Sequence, residues 1–403
     1  MNVFVIVAIA MLAILIALRL RKPIGVAMLA GSLCVWVLRE PSVTVLLKSL
    51  HDVATMSRTY ELIFALYFVM CLEMQLRLSG AFQGTMNALR NWFRSNRISI
   101  AFMPAILGLL PSLGGEIFSA PMVDSLGNKL KLNAEQKAVI NFWYRHCAEY
   151  CSPIQPGLLV ASVILAVPMG AMIAEIWILS FVVIAVGWWL CIPSKAVDII
   201  EGTAGIQEFR TDLKNVLFTM TPVLFNFIFV VLFSGDPAIS MGVVVMLMFP
   251  ALALDGRPVS FIKTLRGAFD WKLILNVSCI IFFIQILTNT DTLENIVAAL
   301  ESTTLSIKVI VAAVSFLIGL LTGISQGHAA MIMPLVATLS PHDAALGAWA
   351  FVFGVAGQMI TPTHLCLVVT VDYFKADFFK TLRPIVIMQA LVLAFYVLWQ
   401  YVC

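Results

Sequence analysis

The stretch LLPSLGGEIFSAPMV at positions 109–123 aligns without gaps on TGISQGHAAMIMPLV at positions 322–336. Both stretches interrupt apolar sequence with Pro, Gly and polar residues, which break helices. The alignment pairs identical residues in order: Ser112 with Ser325, Gly114 with Gly327, Pro121 with Pro334, and Val123 with Val336. The chain therefore carries two copies of one helix-breaking signature.

A second signature follows each of these stretches. EYCSPIQ at 149–155 aligns on QMITPTH at 358–364, where Pro pairs with Pro and Ser with Thr. The two signatures occur in the same order with similar spacing, so we infer an internal duplication. The predicted halves are residues 1–200 and 214–403, joined by a cytoplasmic linker at 201–213.

The composition predicts an all-α polytopic membrane protein. Of 403 residues, 61% are hydrophobic and 12% charged, against about 45–50% and about 25% in soluble domains. The apolar residues fall into blocks of about twenty, long enough for membrane-spanning helices. This composition argues against soluble enzymes and nucleic-acid-binding proteins, and a net charge of +3 is too small to indicate a polyanionic partner. The eight cysteines lie in or beside apolar blocks, as small buried residues do.

Eight blocks are continuous and predict simple spans: 2–18, 23–39, 59–77, 171–192, 214–233, 238–254, 272–289 and 382–402. Four blocks are interrupted. Of these, 98–127 and 306–338 are predicted to be re-entrant hairpins, and 134–168 and 343–371 to be broken helices that cross the membrane. Lipid cannot satisfy interrupted backbone, so each break is expected inside protein or beside a water-filled cavity. The sum is ten crossings and two hairpins.

Basic residues favour this topology. With both termini outside, 20 Lys and Arg residues fall in inner loops and 4 in outer loops. If both hairpins crossed the membrane instead, the count would be 11 inside and 13 outside. Basic residues concentrate in cytoplasmic loops, which supports the hairpin topology. Five crossings per half then force the second half into an inverted orientation.

These features resemble the ion transporter superfamily of secondary carriers, which includes divalent anion:sodium symporters, citrate carriers, gluconate permeases and TRAP membrane subunits. The resemblance rests on the inverted halves, paired hairpins and broken helices, with amphipathic stretches at 82–96 and 291–304. It implies a homodimeric carrier with an elevator mechanism. Sodium-binding members carry Ser-Asn-Thr at each hairpin tip. Here the tips read Ser112-Leu113-Gly114 and Ser325-Gln326-Gly327, which leaves the coupling ion open.

Polar residues at the tips and breaks are the candidate substrate- and ion-binding residues. Helix ends there can hold an anion on N–H groups or a cation on carbonyls. The set is Ser112, Gly114, Gly115, Glu116, Arg145, His146, Glu149, Ser152, Pro153, Gln155, Ser325, Gln326, Gly327, His328, Gln358, Thr361, Pro362, Thr363 and His364. Four of these offer neutral hydroxyl oxygens to a sodium ion: Ser112, Ser152, Ser325 and Thr361.

The sequence thus predicts a secondary transporter for a small anionic, carboxylate-type solute, coupled to sodium or protons. Arg145 either captures the anion or pairs with nearby acids. The predicted partners are this solute, the lipid bilayer and a second copy of the chain, with no nucleic acid. The predicted location is a prokaryotic inner membrane, and no cofactor is expected beyond a coupling ion such as sodium.

Two alternatives remain. One is a cation/proton antiporter using Glu116 and Glu149. The more distant one is an intramembrane metal-dependent hydrolase, with ligands among His146, Cys147, Glu149, Cys151, His328 and His364. The chain lacks a His-Glu-x-x-His motif and a Cys-x-x-Cys pair, and an inverted duplication has no role in hydrolysis. We therefore expect no enzyme.

Overall fold

A computed structural model describes residues 3–20, 22–92, 95–109, 115–193, 206–233, 235–301, 306–362 and 364–402. Within these ranges every regular element is helical, which confirms the all-α prediction. The helices of the first half are α1 (Val3–Arg19), α2 (Ile24–Arg39), α3 (Val43–Thr55), α4 (Ser57–Leu78), α5 (Ala81–Trp92), α6 (Asn96–Gly108), α7 (Gly115–Lys129), α8 (Ala134–Arg145), α9 (Pro156–Leu165), α10 (Met169–Ile176) and α11 (Ile178–Cys191). Those of the second half are α12 (Ile206–Phe227), α13 (Pro237–Leu254), α14 (Phe261–Ala268), α15 (Trp271–Asn289), α16 (Thr292–Glu301), α17 (Ile307–Thr322), α18 (Ser325–Leu339), α19 (Ala344–Met359), α20 (Leu365–Phe374) and α21 (Phe378–Val402).

The chain is a multi-pass membrane protein. Five helical segments are long and apolar enough to cross a bilayer: Met169–Cys191, Phe209–Leu232, Pro237–Leu254, Trp271–Asn289 and Phe378–Val402. The pair α4 and α5, which is bent by 70°, adds a sixth if it is counted as one span. Other apolar helices, such as α1 and α2, are shorter. The ten crossings, the re-entrant path of the hairpins and the outside location of the termini stay predictions.

Each interrupted block contains two helices. The stretch 98–127 forms α6 and α7, and 306–338 forms α17 and α18. The blocks 134–168 and 343–371 give α8 with α9 and α19 with α20. The breaks after α8 and α19 therefore lie where Pro153 and Pro362 predict them.

Four helices lie outside the predicted spans: α5 and α16 correspond to the predicted amphipathic stretches, whereas α3 and α14 were not predicted. Polar residues such as Lys48 and Asp52 lower the hydropathy of α3, and α14 has only 8 residues. The predicted span 171–192 is also divided, at Trp177, into α10 and α11. Of these, α3 is too polar and α14 too short to stand out in a search for spans, whereas α10 and α11 together form the apolar segment Met169–Cys191.

Polar caps fix where the first arm of each broken helix begins. Asn133 forms a capping box with Gln136 at the start of α8: its Oδ1 accepts from the Gln136 N–H at 2.8 Å, and its N–H donates to Gln136 Oε1 at 3.0 Å. At the start of α19, Asp343 Oδ1 accepts from the Leu346 N–H at 2.9 Å. Such caps satisfy backbone donors that the first turn leaves unpaired.

The chain divides into two compact units. The first comprises Met1–Tyr67, Pro156–Met172 and Phe269–Thr363, and the second comprises Phe68–Gln155, Ile173–Ala268 and His364–Cys403. In the first unit, α17, α18 and α19 pack with α9; in the second, α6, α7 and α8 pack with α20. We call these sets the first-unit bundle and the second-unit bundle. Each contains a helix pair, the first arm of a broken helix from the same half, and the second arm from the other half.

Candidate functional site

Glycines bring the helices of the first-unit bundle into backbone contact. A Cβ added at Gly319 of α17 would collide with the carbonyl oxygen of Gly354 in α19. A Cβ added at Gly357 would collide with the carbonyl oxygen of Phe316. The two helices therefore pack closely along a face that admits no side chain at these positions.

His328 lies inside this bundle on α18 and has no exposed surface. Its ring centroid is 5.4 Å from that of Phe351, and a Cβ on Gly354 would collide with its Cδ2. Neither ring nitrogen has a hydrogen-bond partner among the residues that the structure describes. Leaving a buried donor unsatisfied costs about 1–3 kcal/mol. This cost makes His328 a candidate to bind a ligand, an ion or a proton.

The start of α18 is a second unusual feature of the bundle. Gly323 ends α17 with a φ of 67°, and no described side chain caps α18 at Ile324. Ser325, the first residue of α18, is buried. A Cβ on Gly157, near the start of α9, would lie 2.5 Å from Ser325 Cβ. Two helix N-termini therefore meet here, and both present a partial positive charge.

The second-unit bundle contains charged residues instead. Arg145 ends α8, and a one-turn 3₁₀ helix at Cys147–Tyr150 carries Glu149. Both side chains are buried and both interact with other residues. A Cβ on Gly108 of α6 would collide with the carbonyl oxygen of Arg145. Buried Lys137 is neutralised by Asp124, with Nζ 2.8 Å from Oδ1.

Two imidazole rings pack on each other in this bundle. The ring centroids of His146 and His364 are 4.9 Å apart in an edge-to-face arrangement. The Phe142 ring lies 4.5 Å from the first and 5.1 Å from the second, between centroids. His146 Nδ1–H donates to the carbonyl oxygen of Phe142 at 2.7 Å. Donor atoms of His146, His364 and Cys366 all lie within 4.8 Å of one another.

The duplication relates the polar groups of the two bundles. The aligned signatures place Arg145 at the position of Gly354, and Gly115 at the position of His328. At these two positions, the bulky polar residue of the second-unit bundle is Arg145, on the broken helix. The bulky polar residue of the first-unit bundle is His328, on the helix pair.

The chain belongs to the DUF401 family. The sequence model of that family, described as "Protein of unknown function (DUF401)", matches residues 1–403. No curated protein sequence matches the chain significantly.

One similar solved structure is the crystal structure of the YdaH transporter from Alcanivorax borkumensis, which is described as having an unusual topology. The TM-score is 0.57 at 13% sequence identity, and the match covers 88% of this chain and 86% of that chain. At this identity the likeness shows the fold. Membership of the ion transporter superfamily stays a hypothesis.

The structure places most of the predicted site residues of this DUF401 protein. In the first unit, Ser325, Gln326, Gly327 and His328 share the first turn of α18, and Gln358, Thr361 and Pro362 lie at the end of α19 or just after it. In the second unit, Arg145, His146, Glu149, Ser152, Pro153 and Gln155 lie at the end of α8 or in the following break, and His364 precedes α20. Ser112, Gly114 and Thr363 lie outside the described residues. Gly115 and Glu116 begin α7.

Sequence reasoning missed Gly157, Gly354 and Cys366. Gly157 was recognisable only through the adjacent Gln155-Pro156 break, and Cys366 only through its His-x-Cys spacing from His364. Of the ligands considered for a hydrolase, His146 and His364 come together with Cys366. In the described parts of the chain, Cys147, Glu149 and Cys151 are not in that group.

Proposed function

We propose that this protein is a secondary active transporter that binds a small anionic solute. The observation that carries the proposal is the meeting of two helix N-termini at Ser325 and Gly157, one turn before a buried histidine whose ring nitrogens have no partner among the described residues. Ser325 and His328 are three residues apart on α18, so they share a face of the helix.

An anion matches this environment better than a cation. Each helix N-terminus is equivalent to about half a positive charge and stabilises a nearby anion by about 0.3–2 kcal/mol. The first N–H groups of α18 have no intrahelical acceptor, as in any α-helix. The buried Ser325 hydroxyl and the His328 ring supply further donors. A carboxylate, with two acceptor oxygens, is the simplest ligand for this donor set.

Transport is the activity that suits such a site in this fold. Polar residues inside an apolar, multi-pass chain are costly and are functional by default. One solved structure that resembles this fold is that of a transporter. Paired broken helices at corresponding positions are the usual sequence pointer to a substrate site in secondary carriers. We infer an elevator-type carrier with ten crossings and both termini outside, acting as a homodimer in a prokaryotic inner membrane.

We propose that polar residues at the tips and breaks bind the coupling ion. Arg145 would bind a carboxylate or balance Glu149, which lies four residues along the chain. Sodium would use neutral oxygens from the predicted set, while a proton would use Glu149, Glu116 or His328. The burial of Glu149 beside the break also keeps a cation/proton antiporter as the second candidate function.

Flux into proteoliposomes tests the proposal. Labelled mono-, di- and tricarboxylates are offered with a sodium gradient or a pH gradient imposed separately. Ser325→Ala should reduce uptake at least about tenfold, because it removes a donor beside both helix N-termini. Ser315→Ala is the matched control: Ser315 is a buried serine of the same bundle, on α17, and its variant should transport normally.

Replacements of Arg145 separate direct binding from charge balance. Arg145→Lys keeps the charge but loses the fork that binds a carboxylate through two hydrogen bonds. Uptake should stay impaired in this variant if Arg145 touches the solute. If no carboxylate enters and cation/proton exchange depends on Glu149, the antiporter is the correct function.

A further inference from the structure

The second-unit bundle contains three side chains whose donor atoms suit a metal ion, and the solute site proposed at Ser325 and His328 uses none of them. His146 follows α8, while His364 and Cys366 lie at the start of α20. One donor atom from each residue lies within 4.8 Å of the other two. Both histidines are buried and Cys366 is half-buried.

The hydrogen bond of His146 prepares its ring for coordination. A carbonyl oxygen only accepts, so the 2.7 Å contact with Phe142 O places the proton on Nδ1. The lone pair of Nε2 is then available to a metal. Metal-binding histidines commonly donate their other N–H to a carbonyl or carboxylate, which fixes the tautomer and the ring orientation.

We propose that His146, His364 and Cys366 bind one thiophilic transition-metal ion, such as Zn²⁺ or Cu⁺. Two imidazole nitrogens and a thiolate match the ligand preferences of these ions and not those of Mg²⁺ or Ca²⁺. Zinc bond lengths of about 2.0–2.3 Å require donors about 3.3–3.6 Å apart. The donors lie within 4.8 Å of one another, so the proposal requires them to approach to that range when the ion binds. Three protein ligands leave a fourth position for water.

The repeated architecture does not require these three ligand residues. The positions that correspond to His146, His364 and Cys366 in the duplication are Val355, Gln155 and Gly157. None of these supplies an imidazole or a thiol. Ring packing with Phe142 accounts for two imidazoles side by side but not for a thiol beside them.

Titration of metal-free protein tests the site directly. Purified protein competes with a chromophoric chelator for Zn²⁺, and we expect one bound ion per chain. Loss of an outer-shell partner weakens metal sites about 10–100-fold, so removal of a ligand in Cys366→Ser or His364→Gln should cost at least about 100-fold in affinity. Binding should weaken towards acid pH because the ligands must lose protons. Mg²⁺ should not compete.

Two control variants define the location. Cys191 is another half-buried cysteine of the second unit, with Sγ 3.3 Å from Met388 Sδ, and Cys191→Ser should bind zinc normally. His51 is exposed beside Asp52, with Nδ1 3.8 Å from Oδ1, and His51→Ala should also bind normally. If binding is lost only in His51→Ala, the ion binds at the surface and the proposal is wrong.

Alkylation of the unmodified protein keeps the test independent of variant folding. Zinc should slow the reaction of Cys366 with a maleimide at least about tenfold, as read by peptide mass spectrometry, because a coordinated thiolate is shielded. The rate at Cys34, a half-buried cysteine of the first unit, should not change. Absence of bound zinc, or an unchanged alkylation rate at Cys366, would overturn the proposal. Neither result depends on the proposed transport activity.

Discussion

The two bundles share one helix contact and differ in the chemistry around it. In each, a glycine on the first helix of the pair would collide, if given a Cβ, with a carbonyl oxygen of the neighbouring broken helix. The pairs are Gly319 with Gly354 and Gly108 with Arg145. Gly354 and Arg145 both lie seven residues before the Thr or Ser of the break. The contact therefore belongs to the repeated architecture, while the side chains around it are specific to each bundle.

The difference concerns charge. Among the described residues, the buried polar groups of the first-unit bundle are hydroxyls, an amide and the imidazole of His328, whereas the second-unit bundle buries Arg145, Glu149 and Lys137. Buried charges need fixed partners, and the Lys137–Asp124 pair is one example. Neutral donors without a fixed partner can instead bind and release a ligand. We expect the first-unit bundle to bind the solute and the second-unit bundle to hold fixed charge.

The largest expected effect comes from filling the shared contact. Gly319→Ala and Gly108→Ala each place a methyl group against a backbone oxygen that cannot rotate away. Each should lower the free energy of unfolding by about 3 kcal/mol, despite the better helix propensity of alanine. Thermal unfolding in detergent measures the loss.

Gly242→Ala is the control, because its Cβ would meet only the side chain of Phe68, at 3.1 Å. It should be close to neutral. If only one of the two bundles is sensitive to alanine, the contact is not a common feature of the repeats.

The next largest effect tests whether the His328 ring fills the space beside Gly354. Gly354→Ala should destabilise the protein by about 2 kcal/mol, since the methyl group meets the imidazole ring. In His328→Ala the ring is gone, so adding Gly354→Ala should cost little. A double-mutant cycle should give a coupling of about 2 kcal/mol. Additive effects would mean that the ring does not fill this space.

The sequence predicted the breaks but not their partners. Pro153 and Pro362 interrupt apolar blocks, and a proline inside a helix pattern marks its break without tertiary information. The packing of α9 with α18, and of α20 with α8, was not readable. Periodicity reports where a helix ends and which residues are apolar, but not which bundle the next arm joins. Cys366 looked like one more small buried residue for the same reason.

A smaller effect separates ligand binding from packing at His328. Leucine and glutamine are similar in size, but a glutamine amide at this position would remain a buried polar group without a described partner. His328→Leu should therefore be more stable than His328→Gln by about 1–2 kcal/mol, as measured by thermal unfolding. Both should lose uptake if the imidazole contacts the solute. Full uptake by the leucine variant would show that His328 only packs.

The smallest expected effect is a difference between Ser152 and Ser325 in the response to sodium. Ser152 is buried with no partner for its hydroxyl among the described residues, and Ser325 is a buried serine at the start of α18 in the other bundle. A bound ion stabilises the folded state by about 0.8 kcal/mol at three times its Kd, so sodium should raise the unfolding temperature of the unmodified protein in the absence of solute. If sodium binds at the break of the second-unit bundle, Ser152→Ala should lose this shift and Ser325→Ala should keep it.

Potassium at equal ionic strength is the control, because it removes general salt screening from the comparison. The reverse pattern would place sodium beside the helix N-termini, where their partial positive charges oppose a cation, and would contradict the division of roles between the bundles.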